Sequence, residues 1–264
     1  MIVRPVPGAF STDLLARRLA EVASLSEYER DLLLHLKQYP HSYFAGATIA
    51  DTQSAWSSPS LIVSGWACRE RILPNGRRQL LSILLPGDLI GSSHERRALD
   101  LVEVAAINSV RTLCIAPLIR LVEEDPVRCA GIAEGISALR FMEESRLLDH
   151  MVRLGLQTAV QRTAGFLLEL FQRCRTIGFV TGRSFVMPMT QEMLGDALGM
   201  SVVHVNRVIR ELRARHLIDL HSGVAEIEDA AGLACAAGFV PTDLRRPAPA
   251  HHSQPGWQAA ASHN

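Results

Sequence analysis

Residues 201–215, SVVHVNRVIRELRAR, combine hydrogen-bonding side chains with an apolar repeat. At helical spacing the polar side chains share one side: His204, Asn206, Arg207, Arg210 and Arg213. The apolar side chains share the opposite side: Val205, Val208, Ile209 and Leu212. A guanidinium can bond in a forked way to guanine O6 and N7 or to a phosphate, and an amide can bond to adenine. This pattern predicts a buried face and a face with the chemistry to contact the major groove of DNA.

A second amphipathic segment, 190–198, must position that helix. Thr190 is a candidate N-cap for it, Gly199 suits the left-handed residue that ends it, and Ser201 suits the N-cap of the following helix. Two short helices joined by a turn containing glycine are the helix-turn-helix design. The candidate DNA contacts at the two helix starts are Thr190, Gln191, Ser201, Val202 and Val203, beside the polar residues named above.

A β-hairpin is predicted directly after the helix pair. Residues 217–220 and 224–228 alternate in polarity around His221-Ser222-Gly223. A basic helical hairpin is common in proteins that never contact DNA, so the pair alone does not decide. A hairpin directly after such a helix is the wing of a winged helix-turn-helix, and it favours the DNA interpretation.

The totals describe an ordinary soluble protein. The chain has 264 residues, 48% of them hydrophobic and 20% charged, and a formal net charge of zero. The length allows two domains, and the balanced charge means that any attraction to nucleic acid must be local. No signal pattern or membrane-spanning run is present, because the longest uncharged run, 230–240, is too short. These features predict a cytoplasmic protein without a membrane partner.

The five cysteines are scattered and odd in number: Cys68, Cys114, Cys129, Cys174 and Cys235. None forms a C-x-x-C pair or lies near a histidine at metal-ligand spacing. We therefore predict no disulfide framework and no metal site, and expect all five thiols to be buried or inert.

In the chain before the helix pair, the spacing of the apolar residues changes twice between a helical and a strand-like repeat. Residues 11–37 predict two helices broken at 24–26, the second opened by a capping box of Ser26 and Glu29. From Tyr43 to about Ala116, short β-type runs (60–68, 69–73, 79–84, 102–107 and 110–115) alternate with turns, of which Asn75-Gly76 predicts a tight hairpin. We interpret this part as a β-sandwich or barrel.

A long helix is predicted next, opening at Asp125-Pro126, reaching about Leu154 and interrupted by Gly155. Its apolar side chains form a band that is too wide for a single helix–helix seam. Such a band fits either burial within a single domain, or a helix that packs one face against the sandwich and another against a partner helix. A further helix should begin near Thr158, with a loop around Gly178, Gly182 and Pro188 before the helix pair. Residues 245–264 have too little apolar content to fold, and we expect a disordered tail.

The order of these parts resembles the Crp/Fnr family of bacterial transcription regulators. Residues 61–65, Gly76 and the run Leu85–Gly91, with its Gly-Asp-x-x-Gly turn, are similar to the family's β-roll. Residues 190–218 are in register with its helix-turn-helix. The resemblance implies an α+β fold with a β-roll effector domain (1–125), a dimerisation helix and hinge (126–157), a winged helix-turn-helix domain (158–244) and the tail (245–264).

The same resemblance implies a homodimer that binds a two-fold symmetric operator in double-stranded DNA, with RNA polymerase as an open further partner. Arg207 matches the family's base-contacting arginine. Many members have a glutamate where Val203 stands, so the family's consensus operator is not expected here. Arg210 and Arg213 are expected at phosphates, which position a protein without specifying sequence.

The effector site of the family would fall at Gly87, Asp88, Gly91 and Ser92. Cyclic-nucleotide-binding members have a glutamate after this turn and an arginine about ten residues later, whereas Ser92 and a segment near Glu103 stand here. We therefore expect no cyclic nucleotide, and no iron-sulfur cluster because no cysteine precedes Cys68. Haem ligation stays open, with the candidate ligands Cys68, His35, His41 and His94.

Two other function classes were weighed against a DNA-binding regulator. A ligand-sensing β-roll whose C-terminal domain docks a protein partner is the alternative, and it predicts partner binding that is insensitive to salt. An enzyme is not expected, because no catalytic triad, phosphate-binding loop or paired carboxylates stand out.

Overall fold

The computed structural model describes residues 13–35, 40–50, 59–91 and 102–238. The N-terminal part contains two helices, then eight strands, then one short helix: α1 (Asp13–Ala20), α2 (Glu27–His35), β1 (Pro40–Tyr43), β2 (Thr48–Ala50), β3 (Ser60–Ser64), β4 (Ala67–Ile72), β5 (Arg78–Leu84), β6 (Leu89–Ile90), β7 (Glu103–Ala106), β8 (Val110–Cys114) and α3 (Ala116–Glu124). The predicted tail, 245–264, lies outside the described residues.

The eight strands form two antiparallel four-stranded sheets, ordered β1-β8-β3-β6 and β2-β7-β4-β5. Their inner faces enclose a core that includes Ile62, Leu84, Ile90, Val104 and Val110, as expected of two sheets packed face to face. The outer face of the first sheet packs against the helices α1 to α3. The predicted two-layer β-domain is thus confirmed.

The strand boundaries differ from the sequence prediction in two ways. No predicted run corresponds to the short strands β1, β2 and β6. The runs 60–68 and 69–73 predict a break after Cys68, but β3 ends at Ser64 and β4 extends from Ala67 to Ile72. Gly65 lies between them at φ +81°, and a Cβ there would be 2.1 Å from the carbonyl oxygen of Ser109. Only glycine accepts that conformation and that close approach. The Asn75-Gly76 hairpin is confirmed, with Ile72 paired to Arg78 across the turn.

The C-terminal part is mainly helical and contains four short strands: α4 (Ala130–Leu156), α5 (Ala159–Thr176), β9 (Val180–Thr181), β10 (Ser184–Val186), α6 (Gln191–Leu198), α7 (Val202–Ala214), β11 (Ile218–His221), β12 (Val224–Ile227) and α8 (Ala230–Ala236). The long helix α4 begins four residues later than predicted, because residues 125–129 form a turn in which Asp125 Oδ1 accepts from the Arg128 N–H at 3.2 Å.

Gly155 does not interrupt α4, contrary to the prediction. The helix continues to Leu156, and the chain becomes extended at Gln157 (φ −91°, ψ 148°). Thr158 then caps α5, and its side chain and that of Gln161 form a reciprocal capping box. A single helical glycine costs only about 1 kcal/mol, and this cost does not break a helix that is 27 residues long.

The predicted capping box of α2 is present and does more than cap that helix. Glu29 is 2% exposed, and its carboxylate accepts from the Ser26 N–H and hydroxyl and also from the Ile132 N–H, each at 2.8 Å. Burial would raise the pKa of Glu29, but these donors outweigh it and lower the pKa below its ordinary value. The carboxylate thereby ties α2 to the first turn of α4.

Candidate nucleic-acid interface

The helix pair has the caps that its sequence predicts. The Thr190 hydroxyl accepts from the Met193 N–H at 3.1 Å and opens α6. Gly199 ends this helix in the left-handed conformation, at φ +64°. The Ser201 hydroxyl accepts from the His204 N–H at 3.3 Å and opens α7. Each cap is local in sequence, and together they fix the turn that sets α7 against α6.

The two faces of α7 are separated as predicted. The apolar side chains are buried in the C-terminal core: Val205 at 0%, Val208 at 2%, Ile209 at 6% and Leu212 at 0% exposure. The opposite face is open to solvent. Val203 is 78% exposed, Arg207 and Arg210 are exposed, and His204 and Asn206 are half-buried. An exposed valine beside exposed arginines gives this face both apolar and cationic contacts.

The polar side chains of α7 make specific local contacts. Arg207 Nη2 lies 2.9 Å from His204 Nε2, and Arg210 Nε donates to the Asn206 carbonyl at 3.3 Å. Arg213 turns toward the hairpin, where it pairs with Asp219 at 2.8 Å and donates to the Leu220 carbonyl. Arg213 therefore joins α7 to the hairpin, while Arg207 stays on the open face.

The predicted wing is confirmed as the hairpin β11–β12, whose turn residues Ser222 and Gly223 have positive φ. The sequence prediction missed its two partners. β10 pairs with β12, and β9 pairs with β10, so the wing belongs to a four-stranded sheet. It also missed α8, which Asp229 caps by accepting from the Gly232 N–H at 2.9 Å.

An open groove runs between α7 and the wing. Its polar lining comes from α6, α7 and the turn of the hairpin: Gln191, Asn206, Arg210, Arg213, His221 and Ser222. Two helix starts, a basic helix face and a wing thus lie along one surface. This arrangement can hydrogen-bond to base edges through α7 and to phosphates on either side of it.

The candidate effector residues lie at a turn that is filled by the protein's own side chains. The Asp88 carboxylate accepts from the Leu85 N–H at 2.8 Å and from Arg173 Nη2 at 2.6 Å, and Arg146 lies 3.8 Å away. Burial would raise the pKa of Asp88, but Arg173 and Arg146 outweigh it and hold the pKa below its ordinary value. Asp88, predicted from sequence as a turn residue and as part of the candidate effector site, therefore also connects the β-domain to α4 and α5.

The rest of this turn is equally occupied. A Cβ on Gly87 would be 2.8 Å from the Arg18 side chain, and Gly91 ends the described segment, with Ser92 outside it. Next to the turn, Arg69 pairs with Glu143 of α4 and donates to the Leu89 carbonyl at 3.1 Å. Burial lowers the pKa of Arg69 to about 10, so the guanidinium stays charged at neutral pH.

The cysteines and the candidate haem ligands are dispersed. Cys68, Cys129 and Cys174 are buried, Cys114 is half-buried and Cys235 is exposed. Burial is thus confirmed for three thiols, and that Cys114 and Cys235 are inert stays a prediction. Burial raises the pKa of Cys68 to about 12, with Glu70 adding to the effect. His35 ends α2 and His41 is an exposed residue of β1, whereas His94 lies outside the described residues.

No three His, Cys, Asp or Glu side chains in the described ranges lie close enough together to hold a metal ion. In the same ranges, no helix combines the length and the apolar character needed to cross a membrane.

The helix pair also rests on the β-domain of its own chain. Arg78 of β5 contacts Asp196 Oδ2 of α6 through Nε at 2.8 Å and Nη2 at 2.7 Å. Gln79 Nε2 donates to the Asp196 carbonyl at 2.7 Å. Beneath them, Leu80 and Ile83 join the buried core of the C-terminal part. We call the contacts of Arg78 and Gln79 with Asp196 the interdomain brace.

Comparison with known proteins agrees with this architecture. Residues 161–236 match the family described as the Crp-like helix-turn-helix domain. The chain is 28% identical over 231 residues to the nitrogen fixation regulation protein FixK of Bradyrhizobium diazoefficiens, covering 87% of this chain and 95% of that protein. It is 26% identical over 236 residues to the transcriptional activator protein FnrA of Stutzerimonas stutzeri, covering 89% and 96%.

The solved structure of FixK2 from Bradyrhizobium japonicum has the same fold, with a TM-score of 0.66 at 24% identity over 76% of this chain and 98% of that one. The β-roll, the long helix and the winged helix-turn-helix together form the architecture of a DNA-binding transcription regulator. The chain is thus similar over most of its length to transcription regulators of the Crp/Fnr type, and residues 161–236 match their helix-turn-helix domain.

Proposed function

We propose that this chain regulates transcription by binding a two-fold symmetric operator as a homodimer, with Ser201–Ala214 of each copy in the major groove. The observation that carries the proposal is the division of α7 into two faces. Its apolar side is fully buried, whereas Val203 (78% exposed), Arg207 and Arg210 face outward beside the wing. A helix held in this way presents its first turns to base edges.

The side chains have separate roles in this proposal. Arg207 reads a base, most simply guanine through O6 and N7. Val203 offers only apolar contact, for instance to a thymine methyl group. Arg210 and Arg213 bind phosphates, and Arg213 does so while bonded to the wing. At the helix starts, Thr190, Gln191, Ser201 and Val202 fix the register on the backbone, with His204 and Asn206 beside the bases.

A second copy of this chain would cover the apolar side of α4. Large side chains on this helix are open to solvent in a single chain: Phe141 at 69%, Leu148 at 56%, Met151 at 68%, Val152 at 52% and Leu156 at 84% exposure. Their spacing of seven, three or four residues is that of a seam between two helices. Such a dimer would present two copies of α7 about 34 Å apart, one turn of DNA.

A signal at the β-domain would reach α7 through α4 and α5. Within the candidate effector site (Gly87, Asp88, Gly91 and Ser92), Asp88 contacts both helices through Arg146 and Arg173. The extended link at 157–158, instead of Gly155, is then the hinge of a two-state change. We assign no cyclic nucleotide to this region, because the Arg69–Glu143 pair and the Asp88 contacts occupy it.

Substitution of Arg207 by alanine tests the proposal. We expect a loss of about 1–3 kcal/mol on the selected operator and weaker discrimination between bases. Arg71→Ala, at an exposed arginine of β4, removes the same charge far from α7 and should leave binding unchanged. Equal losses for Arg207→Ala on the operator and on random DNA would contradict base reading by Arg207.

A salt titration separates DNA binding from the alternative of protein docking. Binding dominated by phosphates weakens steeply as salt rises, and we expect that dependence for the complex with the operator. A folded protein that retains no oligonucleotide at low salt would contradict the proposed function and favour the docking alternative.

A further inference from the structure

The contact between His204 and Arg207 is the most specific one on the open face of α7. Arg207 Nη2 and His204 Nε2 are 2.9 Å apart, one helical turn from each other. The backbone of His204 is itself fixed, because its N–H donates to the Ser201 hydroxyl at 3.3 Å. The imidazole is half-buried and the guanidinium is exposed. The imidazole of His204, whose backbone is fixed, therefore contacts the exposed guanidinium of Arg207.

The chemistry of this contact fixes the protonation of the imidazole. A guanidinium has five N–H donors and no acceptor. His204 Nε2 must therefore accept, and the single proton of the neutral ring is on Nδ1. A doubly protonated ring would bring two cations together at this distance and would have no lone pair to offer.

We propose that His204 is a positioning residue that sets base specificity by holding the guanidinium of Arg207 in one orientation. The inference rests on the proposed DNA-binding function of α7. Val202 and Val203, which are exposed in the same turn, have no polar atom in their side chains and cannot take this role. Holding Arg207 in advance removes part of the entropy that a free arginine loses when it bonds to a base.

This role depends on pH, because a histidine changes charge between about pH 5 and pH 8. Protonation of His204 would release Arg207 and add a cation beside the DNA. Affinity for phosphates would then rise while discrimination between bases falls. Among the described residues, α6, which packs on α7, carries the carboxylates Glu192 and Asp196; neither bonds to this imidazole, and Asp196 is held by Arg78.

Other charged groups near α7 are engaged elsewhere. On α7 itself, Glu211 faces Arg215 at 3.9 Å, and Arg210 is bonded to the Asn206 carbonyl. On β11, Asp219 contacts Arg213 and His221. Arg207 is thus the charged group that responds directly to protonation of His204.

The experiment measures discrimination as a ratio of two dissociation constants. One is for the selected operator, and the other is for the same operator with the base pair read by Arg207 replaced. The ratio is measured at pH 5.5 and pH 8.0 for the native chain, His204→Gln and His204→Ala. Glutamine places an amide oxygen near the position of Nε2 and does not titrate. His35→Gln, at an exposed histidine that ends α2, is the matched control.

We expect the native chain to discriminate roughly two- to tenfold better at pH 8.0 than at pH 5.5, the range of one hydrogen bond. His204→Gln should keep the high ratio at both pH values, and His204→Ala should have the low ratio at both. His35→Gln should keep the native pH dependence.

An unchanged ratio in His204→Ala, or the same pH dependence in His204→Gln as in the native chain, would overturn the inference. If His204→Ala does not fold, the pH profile of His204→Gln still decides. Failure of the proposed function gives a different result: the folded native chain would retain no oligonucleotide at low salt, or Arg207→Ala would leave the ratio unchanged at both pH values.

Discussion

Removal of the Arg78 guanidinium should weaken the interdomain brace, which holds the helix pair against the β-domain. Arg78 is bonded to Asp196 through two nitrogens, at 2.8 and 2.7 Å, and lies 3.6 Å from Glu70. Burial raises the pKa of Glu70, and the positive charge of Arg78 offsets part of this rise. Arg78→Ala therefore leaves two carboxylates, Asp196 and Glu70, without their shared cation.

The size of the effect follows from the exposure of the pair. The side chains of Arg78 and Asp196 are 30% and 23% exposed. The strength of their interaction should therefore lie between that of a surface ion pair, about 0.2–1 kcal/mol, and that of a hydrogen bond to a charged group shielded from water, about 1.5–3 kcal/mol. We expect a coupling free energy of about 1–2 kcal/mol between them. The neighbouring exposed Arg77 is the matched control, and Arg77→Ala should change the free energy of unfolding by less than about 0.5 kcal/mol.

The assay is a double-mutant cycle of Arg78→Ala and Asp196→Ala, with stability measured by denaturant unfolding. Each single variant should be less stable than the native chain, and the double variant should lose less than the sum of the two. Strict additivity of the two losses, within about 0.3–0.5 kcal/mol, would refute the account of this contact.

Three further predictions concern other parts of the molecule. Because the pKa of Asp88 is lowered in the folded chain, the ionised carboxylate stabilises the fold above about pH 4, and this stabilisation is lost as the pH falls through the folded pKa. Asp88→Asn should therefore cost about 3 kcal/mol of unfolding free energy at pH 7, and in urea unfolding this difference from the native chain should shrink toward pH 3. Ser201→Ala should cost about 1 kcal/mol of stability, and Ser201→Asp should restore it; an equal loss in both would argue against the cap. Phe141→Glu should yield a monomer in sedimentation velocity, while Leu34→Glu, at another exposed apolar residue, should not; a dimer in both variants would remove α4 from the interface.

The helix-turn-helix could be predicted from sequence because its determinants are local. Thr190, Gly199 and Ser201 each act within a few residues, and the buried face of α7 repeats at a helical period. The strands β9 and β10 could not be predicted in this way. They are two and three residues long, and Phe185 is the one fully buried side chain between them, so no alternation is visible.

Contacts between segments that are far apart in the sequence could not be predicted either. Arg78 and Asp196 are 118 residues apart, and Asp88 and Arg173 are 85 residues apart. Nothing in the spacing of these residues indicates that they meet. A signal does exist in hindsight for Asp88, because a carboxylate in an apolar run must find a partner when it is buried. The prediction that Gly155 interrupts α4 was wrong because the helix is stabilised along its whole length and tolerates one glycine.

Selection of bound sequences from a random pool of DNA tests the central claim most directly. The native chain should enrich a two-fold symmetric site whose half-sites are about 10 base pairs apart, centre to centre. Arg207→Ala should enrich sites with relaxed preference at one base pair in each half. Enrichment of an asymmetric sequence, or none by a folded native chain, would contradict a paired reader built on α7.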